Sequence, residues 1–307
     1  MDDTLPKDGI HEGVPFDEYH AWKAVGNSSV LRRMRRSALY TKAMEGRPDE
    51  ESTADQVIGQ AVHALVLEPD RYAERFVELT RCAAIRAKDG QRCENPGTKI
   101  GADGECFCGV HGKGVSSSDA RIALTEDQVN RADAMANAVV QDDEARKILA
   151  RCTTREVSLL WTDPATGLRC KGRADLWAAD PFDAYLWELK KSARAHPTAF
   201  PREILTRGYH SQLAWYDTGA RVLGFTPSSV GLIVVHDAAK DDVHEVGTYD
   251  LIADALELGR EVNRRALDEY AACVREGKWP GWGRRPLSVP NWALGIEDED
   301  EQEVTNG

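Results

Sequence analysis

The stretch that decides the fold runs from Lys171-Gly172-Arg173-Ala174-Asp175 to Trp187-Glu188-Leu189-Lys190. Residues 168–177 and 184–190 read as strands, with Asp180-Pro181 supplying turn chemistry between them. Side chains alternate along a strand, so Glu188 and Lys190 point to one side and Leu189 into the opposite layer. If the two strands pair through the turn, Asp175 comes to the side of Glu188. Two carboxylates converging on one point repel each other unless a divalent cation sits between them. Oxygen ligands with open positions suit Mg²⁺ or Mn²⁺. A nearby lysine could orient or deprotonate an attacking water and balance charge on a phosphate, which is the chemistry of metal-assisted phosphodiester hydrolysis. Surface charges on a half-exposed sheet are the alternative for the same residues.

Upstream, residues 156–162 are strand-like and end in the turn Asp163-Pro164-Ala165-Thr166-Gly167. A long helix over 126–150, capped by Thr125, precedes them. A helix over 54–68 carries His63, and another begins at Ser28 or Ser29 and runs to about 45. Residues 1–27 read as a loose arm. Downstream come helices over 197–206 and 209–222, a strand pair over 230–236 and 243–249, and a closing helix over 251–275. This order predicts an α/β core with a helical N-terminal part and an insertion. The expected divisions are 1–81 (arm and helices of the catalytic domain), 82–118 (insertion), 119–295 (core) and 296–307 (an acidic, disordered tail).

Of 307 residues, 39 are basic and 51 acidic, giving a net charge of −12. With 42% hydrophobic residues, the composition excludes collagen-like, low-complexity and largely disordered chains. No apolar run approaches the ~20 residues that span a bilayer, and Met1 to Ile10 lacks a secretory pattern. The expected compartment is the cytoplasm, with no membrane contact. The acidic balance argues against coating nucleic acid by bulk charge. Arg32, Arg33, Arg35 and Arg36 nevertheless form a local basic face, and together with Arg173 they are candidate DNA contacts. A solvated helix face is the alternative for the four clustered arginines.

Residues 82–118 are rich in Gly, Cys and Ser and poor in large apolars. Cys82, Cys93, Cys108 and His111 place four soft or borderline ligands within 30 residues. They suit a tetrahedral structural Zn²⁺ that would supply the folding free energy of the segment. Cys106 competes as third thiolate. An iron–sulfur cluster is the rival ion, although such clusters mostly take four thiolates; free thiols without metal are the remaining reading. Cys152, Cys170 and Cys273 read as buried small apolars.

The order Gly172-Arg173-x-Asp175 followed by apolar-Glu188-x-Lys190 resembles the PD-(D/E)XK nuclease superfamily. The helix with Gln212 and Tyr216 matches the Q-x-x-x-Y element of the branch containing RecB-type, lambda-exonuclease-type and RecE-type nucleases. These two residues, i and i+4, share one helical face. Gly59-Gln60-Ala61-Val62-His63 resembles the G-x-x-x-H helix whose histidine is a metal ligand in that branch; a hydrogen-bonded core histidine is the alternative. Within the superfamily the sequence is most similar to the exonuclease VIII (RecE) nuclease domain of phages and prophages. Phe16-Asp17-Glu18-Tyr19, Asn27-Ser28-Ser29, Arg155 to Trp161 and Lys278-Trp279-Pro280-Gly281-Trp282 extend the likeness over most of the chain. The family usually has Asp-x-Lys-Thr where this sequence has Glu188-Leu189-Lys190-Lys191, and Lys191 leaves open how substrate is held.

This resemblance implies a restriction-endonuclease-like core, a mixed sheet flanked by helices. It implies catalysis by Asp175, Glu188, Lys190, Gln212 and Tyr216, and Mg²⁺ or Mn²⁺ on His63, Asp175 and Glu188. Glu156 matches a position that is often acidic and near the metal, with an exposed strand-end glutamate as the alternative. The implied activity is digestion of linear duplex DNA from its ends, 5′ to 3′, exposing 3′ single strands for an annealing protein in recombination. A ring-shaped homo-oligomer and a bacterial or phage-infected host cell belong to the same expectation. Two rival readings are a non-catalytic DNA-binding accessory protein and an endonuclease on the same fold.

Overall fold

The computed structural model describes residues 5–47, 52–101, 104–113, 119–180, 182–238, 243–284, 286, 287 and 289. The expected acidic tail, residues 114–118 of the insertion and Pro181 lie outside the described residues. In chain order the first elements are β1 (Gly9–His11), α1 (Phe16–Ala21), β2 (Val25–Gly26), a π-turn (Asn27–Leu31), α2 (Arg32–Met34) and α3 (Ala38–Ala43). Next come α4 (Ala54–Leu67), a 3₁₀ turn (Pro69–Arg71), α5 (Tyr72–Arg75), β3 (Phe76–Leu79), β4 (Lys99–Ile100), β5 (Cys106–Phe107) and β6 (Ile122–Thr125). Helices α6 (Glu126–Gln141) and α7 (Asp143–Arg151) lead into β7 (Thr154–Thr162), β8 (Arg169–Ala178) and β9 (Ala184–Ser192). The chain continues through α8 (Phe200–Arg207), α9 (Tyr209–Val222), β10 (Pro227–His236), β11 (Val246–Asp250) and α10 (Ala253–Glu276).

The main sheet has seven strands in the order β1-β7-β8-β9-β10-β11, with β2 beside β8. It is mixed: β9 and β10 run parallel, as do β2 and β8, while β7, β8 and β9 form antiparallel pairs. Neighbouring residues on a strand feed opposite layers, as alternation requires. Trp161, Trp177, Leu186 and Leu232 pack with Leu213 and Trp215 of α9 and Leu267 of α10. Leu176, Trp187, Leu189 and Ile233 pack instead with Ile58 and Val62 of α4 and Met135 and Val139 of α6. Each such fully buried side chain contributes roughly 1.5–3 kcal/mol relative to exposure.

Three expectations change. The arm is not loose, because β1 pairs with β7 and β2 with β8, covering edges that would otherwise expose unpaired backbone. Lys171 Nζ then donates to the carbonyls of Tyr19, His20 and Trp22 at 2.8, 3.2 and 2.8 Å, satisfying the open end of α1. The helix expected from Ser28 to about 45 breaks after Met34, and Ser37 restarts it by accepting from Tyr40 N–H at 3.0 Å. The helix expected over 126–150 likewise breaks at Asp142, whose carboxylate caps α7 by accepting from Ala145 N–H at 2.8 Å. Both breaks occur at side chains that compete for backbone amides and so favour caps over helix interiors. By contrast α4 starts where the sequence places it, on a Thr53–Gln56 capping box.

Candidate active site

Strands β8 and β9 pair only between Leu176–Ala178 and Tyr185–Trp187. Toward Asp175 they diverge, β8 staying on β7 and β9 on β10. In the fork Asp175 N–H donates to Glu188 Oε1 at 3.1 Å, and Leu189 N–H donates to Asp175 Oδ2 at 2.9 Å. Each carboxylate thus fills a ladder position left open by the divergence, which fixes both without a long, mobile side-chain contact. Lys190 Nζ lies 2.5 Å from Glu188 Oε2 and 3.8 Å from Asp175 Oδ2. Gln212 Nε2, from α9, donates to the same Glu188 oxygen at 3.0 Å and to Tyr216 Oη at 2.9 Å. Gly172 makes room for this arrangement, since a Cβ there would stand 2.6 Å from the Tyr216 ring.

From the other layer, α4 brings His63 into the fork. Its Nε2 is 3.0 Å from Asp175 Oδ2 and its Nδ1 is 3.2 Å from Glu156 Oε1. Glu156 has φ 52°, the sole non-glycine residue in the left-handed region among those described. That conformation costs about 1–3 kcal/mol and persists where the surroundings over-determine it. Here it accompanies the turn of Glu156 toward His63 and toward Arg173, whose Nε donates to Glu156 Oε2 at 2.6 Å. Arg173 also donates to Val14 O at 2.9 Å, tying the arm to the site.

The electrostatics follow from burial and convergence. Burial, reinforced by Asp175, pushes Glu188 up to about 8. Burial would likewise raise Asp175, but the charges of His63 and Lys190 hold it well below the usual carboxylate range. Burial works against the charged form of His63, yet Asp175 and Glu156 win and push it up to about 9. Lys190 is held above its ordinary value by Glu188 and Asp175 despite its burial. Without a metal, protonated His63 therefore supplies the positive charge between two carboxylates.

A divalent cation fits this donor set. One nitrogen of His63 and one oxygen each of Glu156 and Asp175 lie within 4.8 Å of one another. Three such donors on one side, with open positions beyond, are what Mg²⁺ or Mn²⁺ takes. Glu188 stands one layer back, its oxygens engaged by Asp175 N–H, Lys190 and Gln212.

The structure therefore brings His63, Glu156, Asp175, Glu188, Lys190, Gln212 and Tyr216 into one cluster. Arg173 stands in it too, but paired to Glu156. The other expected DNA contacts lie elsewhere: Arg35 donates to Ser211 Oγ at 3.0 Å, Arg33 to Met44 O at 3.3 Å, and Arg36 lies over the Tyr40 ring. Arg32 is exposed. One residue the sequence reading passed over is Tyr19. It is half-buried, its phenol is pushed up by desolvation, and Lys171 and Arg173 stand 4.8 and 5.6 Å from its ring centre. It lies within the motif that carried the resemblance, but nothing local in that motif marks it as facing the fork. In the insertion, Cys82, Cys93, Cys108 and His111 form a second group of potential ligands.

No curated protein matches the chain significantly. Its fold is similar to that of a solved protein named "Putative exonuclease" from Eubacterium rectale, with a TM-score of 0.56 at 11% identity. The likeness covers 93% of this chain and 100% of that one. The sequence profile described as "PDDEXK-like domain of unknown function (DUF3799)" matches residues 27–284, a span holding every residue of the fork described above except Tyr19. The chain belongs to this PDDEXK-like family.

Proposed function

We propose that the protein is a Mg²⁺- or Mn²⁺-dependent exodeoxyribonuclease that hydrolyses phosphodiester bonds of linear duplex DNA from its ends. The observation that carries this reading is the meeting of Asp175, Glu188, Lys190, His63 and Glu156 in one strand fork. Membership of the PDDEXK-like family supports nuclease chemistry in general. The cation, held by Asp175, Glu156 and His63, would supply Lewis acidity toward the scissile phosphate and its attacking water. Lys190, kept protonated by Glu188 and Asp175, serves as a donor to that water or to a phosphate oxygen. Gln212, donating to both Glu188 and the Tyr216 hydroxyl, orients these groups beside the fork. The 5′-to-3′ polarity, the link to recombination through an annealing protein and a ring-shaped oligomer rest on the RecE resemblance alone.

The test is digestion of linear duplex labelled at either the 5′ or the 3′ end, beside covalently closed circles. Release of 5′ label from linear DNA, with circles untouched, supports the proposal. Cleavage of circles favours an endonuclease on this fold. Tight DNA binding with no cleavage in Mg²⁺ or Mn²⁺ favours a non-catalytic accessory protein.

A further inference from the structure

The insertion carries side chains that the hydrolytic reading does not use. It leaves the domain at β3 and returns at β6, and these two strands pair in parallel, Phe76 opposite Ile122 and Leu79 opposite Thr125. Between them the chain forms only the short pair β4–β5 and two isolated bridges, Arg81 to Pro96 and Ile85 to Arg92, among the described residues. Its buried cluster consists of Cys82, Cys93 and Cys108, with Ala84 and Phe107 packed against them. So small an apolar core cannot offset the entropy of ordering the segment.

We propose that Cys82, Cys93, Cys108 and His111 hold one structural Zn²⁺, which nucleates this segment as a unit separate from the hydrolytic site. Their ligand atoms all lie within 4.8 Å of one another. His111 Nδ1 is 3.5 Å from Cys82 Sγ and 3.4 Å from Cys108 Sγ. A tetrahedral ion with Zn–S near 2.3 Å and Zn–N of 2.0–2.1 Å requires S···N edges of about 3.5 Å. A single ring nitrogen equidistant from two sulfurs is poorly explained by one hydrogen bond, whereas a shared cation requires it. Backbone amides of His111 and Val110 point at Cys108 Sγ, and Asn95 Nδ2 lies 3.9 Å from it, the outer-shell donors that a metal-bound thiolate takes.

The same geometry decides between the two candidate thiols. Cys106 sits on β5 with its Cβ packed on Gly97, where an added Cβ would stand 2.7 Å away, and it is not in the ligand group. Three thiolates and an imidazole around one ion-sized point suit Zn²⁺. A multi-iron cluster would need its cysteines spread around several metals and most often a fourth thiolate.

The test is metal analysis of the full-length chain purified under reducing conditions, together with Cys93→Ser, His111→Ala and Cys106→Ser. About one zinc per chain is expected in the parent and in Cys106→Ser, with loss in Cys93→Ser and His111→Ala. Because a ligand variant could misfold, Co²⁺ exchange into the Cys106→Ser chain gives a second readout. Visible absorption of tetrahedral cobalt with sulfur-to-metal charge transfer supports the site. A parent chain without zinc, iron in its place, or zinc lost from Cys106→Ser but kept by Cys93→Ser would overturn it.

Discussion

Asp175 and Glu188 hold each other's strands: the Asp175 amide donates to Glu188, and the Asp175 carboxylate accepts from the amide beyond Glu188, that of Leu189. The two acids are therefore part of the backbone accounting of the sheet as well as of its charge. An amide side chain can still accept both bonds, so charge and structure can be separated by isosteric substitution. Asp175→Asn should melt within a few degrees of the parent, whereas Glu188→Gln turns an amide NH2 toward Lys190 Nζ and Gln212 Nε2 and should melt lower. Each should nevertheless lose cleavage by about 10²-fold or more, the usual cost of removing one group that stabilises transition-state charge. Single-turnover digestion beside thermal melts checks this; a fully active Asp175→Asn chain would contradict the assigned role.

The metal-free fork should be acid-stabilised. Glu188 goes from 4.5 to about 8 on folding and His63 from 6.5 to about 9. Between those limits the folded chain holds more protons than the unfolded one, so stability falls as pH rises. The His63 contribution is complete below pH 6.5 and gone above about 9. The Asp175 shift has the opposite sign, but its window lies below 3.8. Thermal midpoints of the metal-free chain should therefore drop from pH 6.5 to 9, and a midpoint that is flat or rises over that range would contradict the charge arrangement of the fork.

Binding of Mn²⁺ must displace the proton on His63. Affinity should rise about tenfold per pH unit up to pH 9, with about one proton released per ion. Calorimetric titration in buffers of different ionisation heat reads both quantities. An affinity that does not change between pH 6.5 and 8.5 would remove His63 from the ligand set.

Lys191, where the resembling family usually has threonine, pairs β9 with buried Asp237 and reaches the exposed start of the helix that carries His63. Its ammonium pairs with Asp55 of α4 at 2.7 Å and with buried Asp237, which also accepts from Arg131 Nε at 2.8 Å. Asp55 is 72% exposed, so that contact contributes little. Lys191→Met leaves Asp237 with Arg131 alone and should cost about 1–3 kcal/mol, below the 3–5 of an uncompensated buried charge. A threonine at 191 should behave similarly. Lys191→Arg should recover both stability and Mn²⁺ affinity, whereas equal Mn²⁺ affinity in all three variants would contradict a positioning role.

Gly172→Ala should destabilise by roughly 1–3 kcal/mol as an overpacking change. The new methyl collides with the Tyr216 ring, so the loss should appear in kcat as well as in the thermal midpoint. A variant with parental activity and stability would show that α9 can move away without consequence.

Strand alternation made the fork legible before any coordinates. Asp175, Glu188 and Lys190 could be put on one side of the sheet by counting residues, and Gln212 and Tyr216 on one face by helical spacing. His63 needed the family resemblance, because a lone histidine on an apolar helix carries no local signal. The positive φ of Glu156 is a property of the sheet around it, and the arm's attachment through Lys171 joins residues about 150 apart in sequence. Neither leaves a periodic trace. The helix breaks at Ser37 and Asp142 were different: both are cap-forming residues, and continuous amphipathic spacing on either side hid them.

The most direct test of the hydrolytic fork is the release of labelled nucleotides from linear duplex DNA in Mn²⁺ by the parent chain and by Lys190→Ala. Parent digestion, with Lys190→Ala slowed by about 10²-fold or more while still folded and still binding Mn²⁺, is the expected result. Intact DNA with the parent, or equal digestion by both chains, would contradict the account.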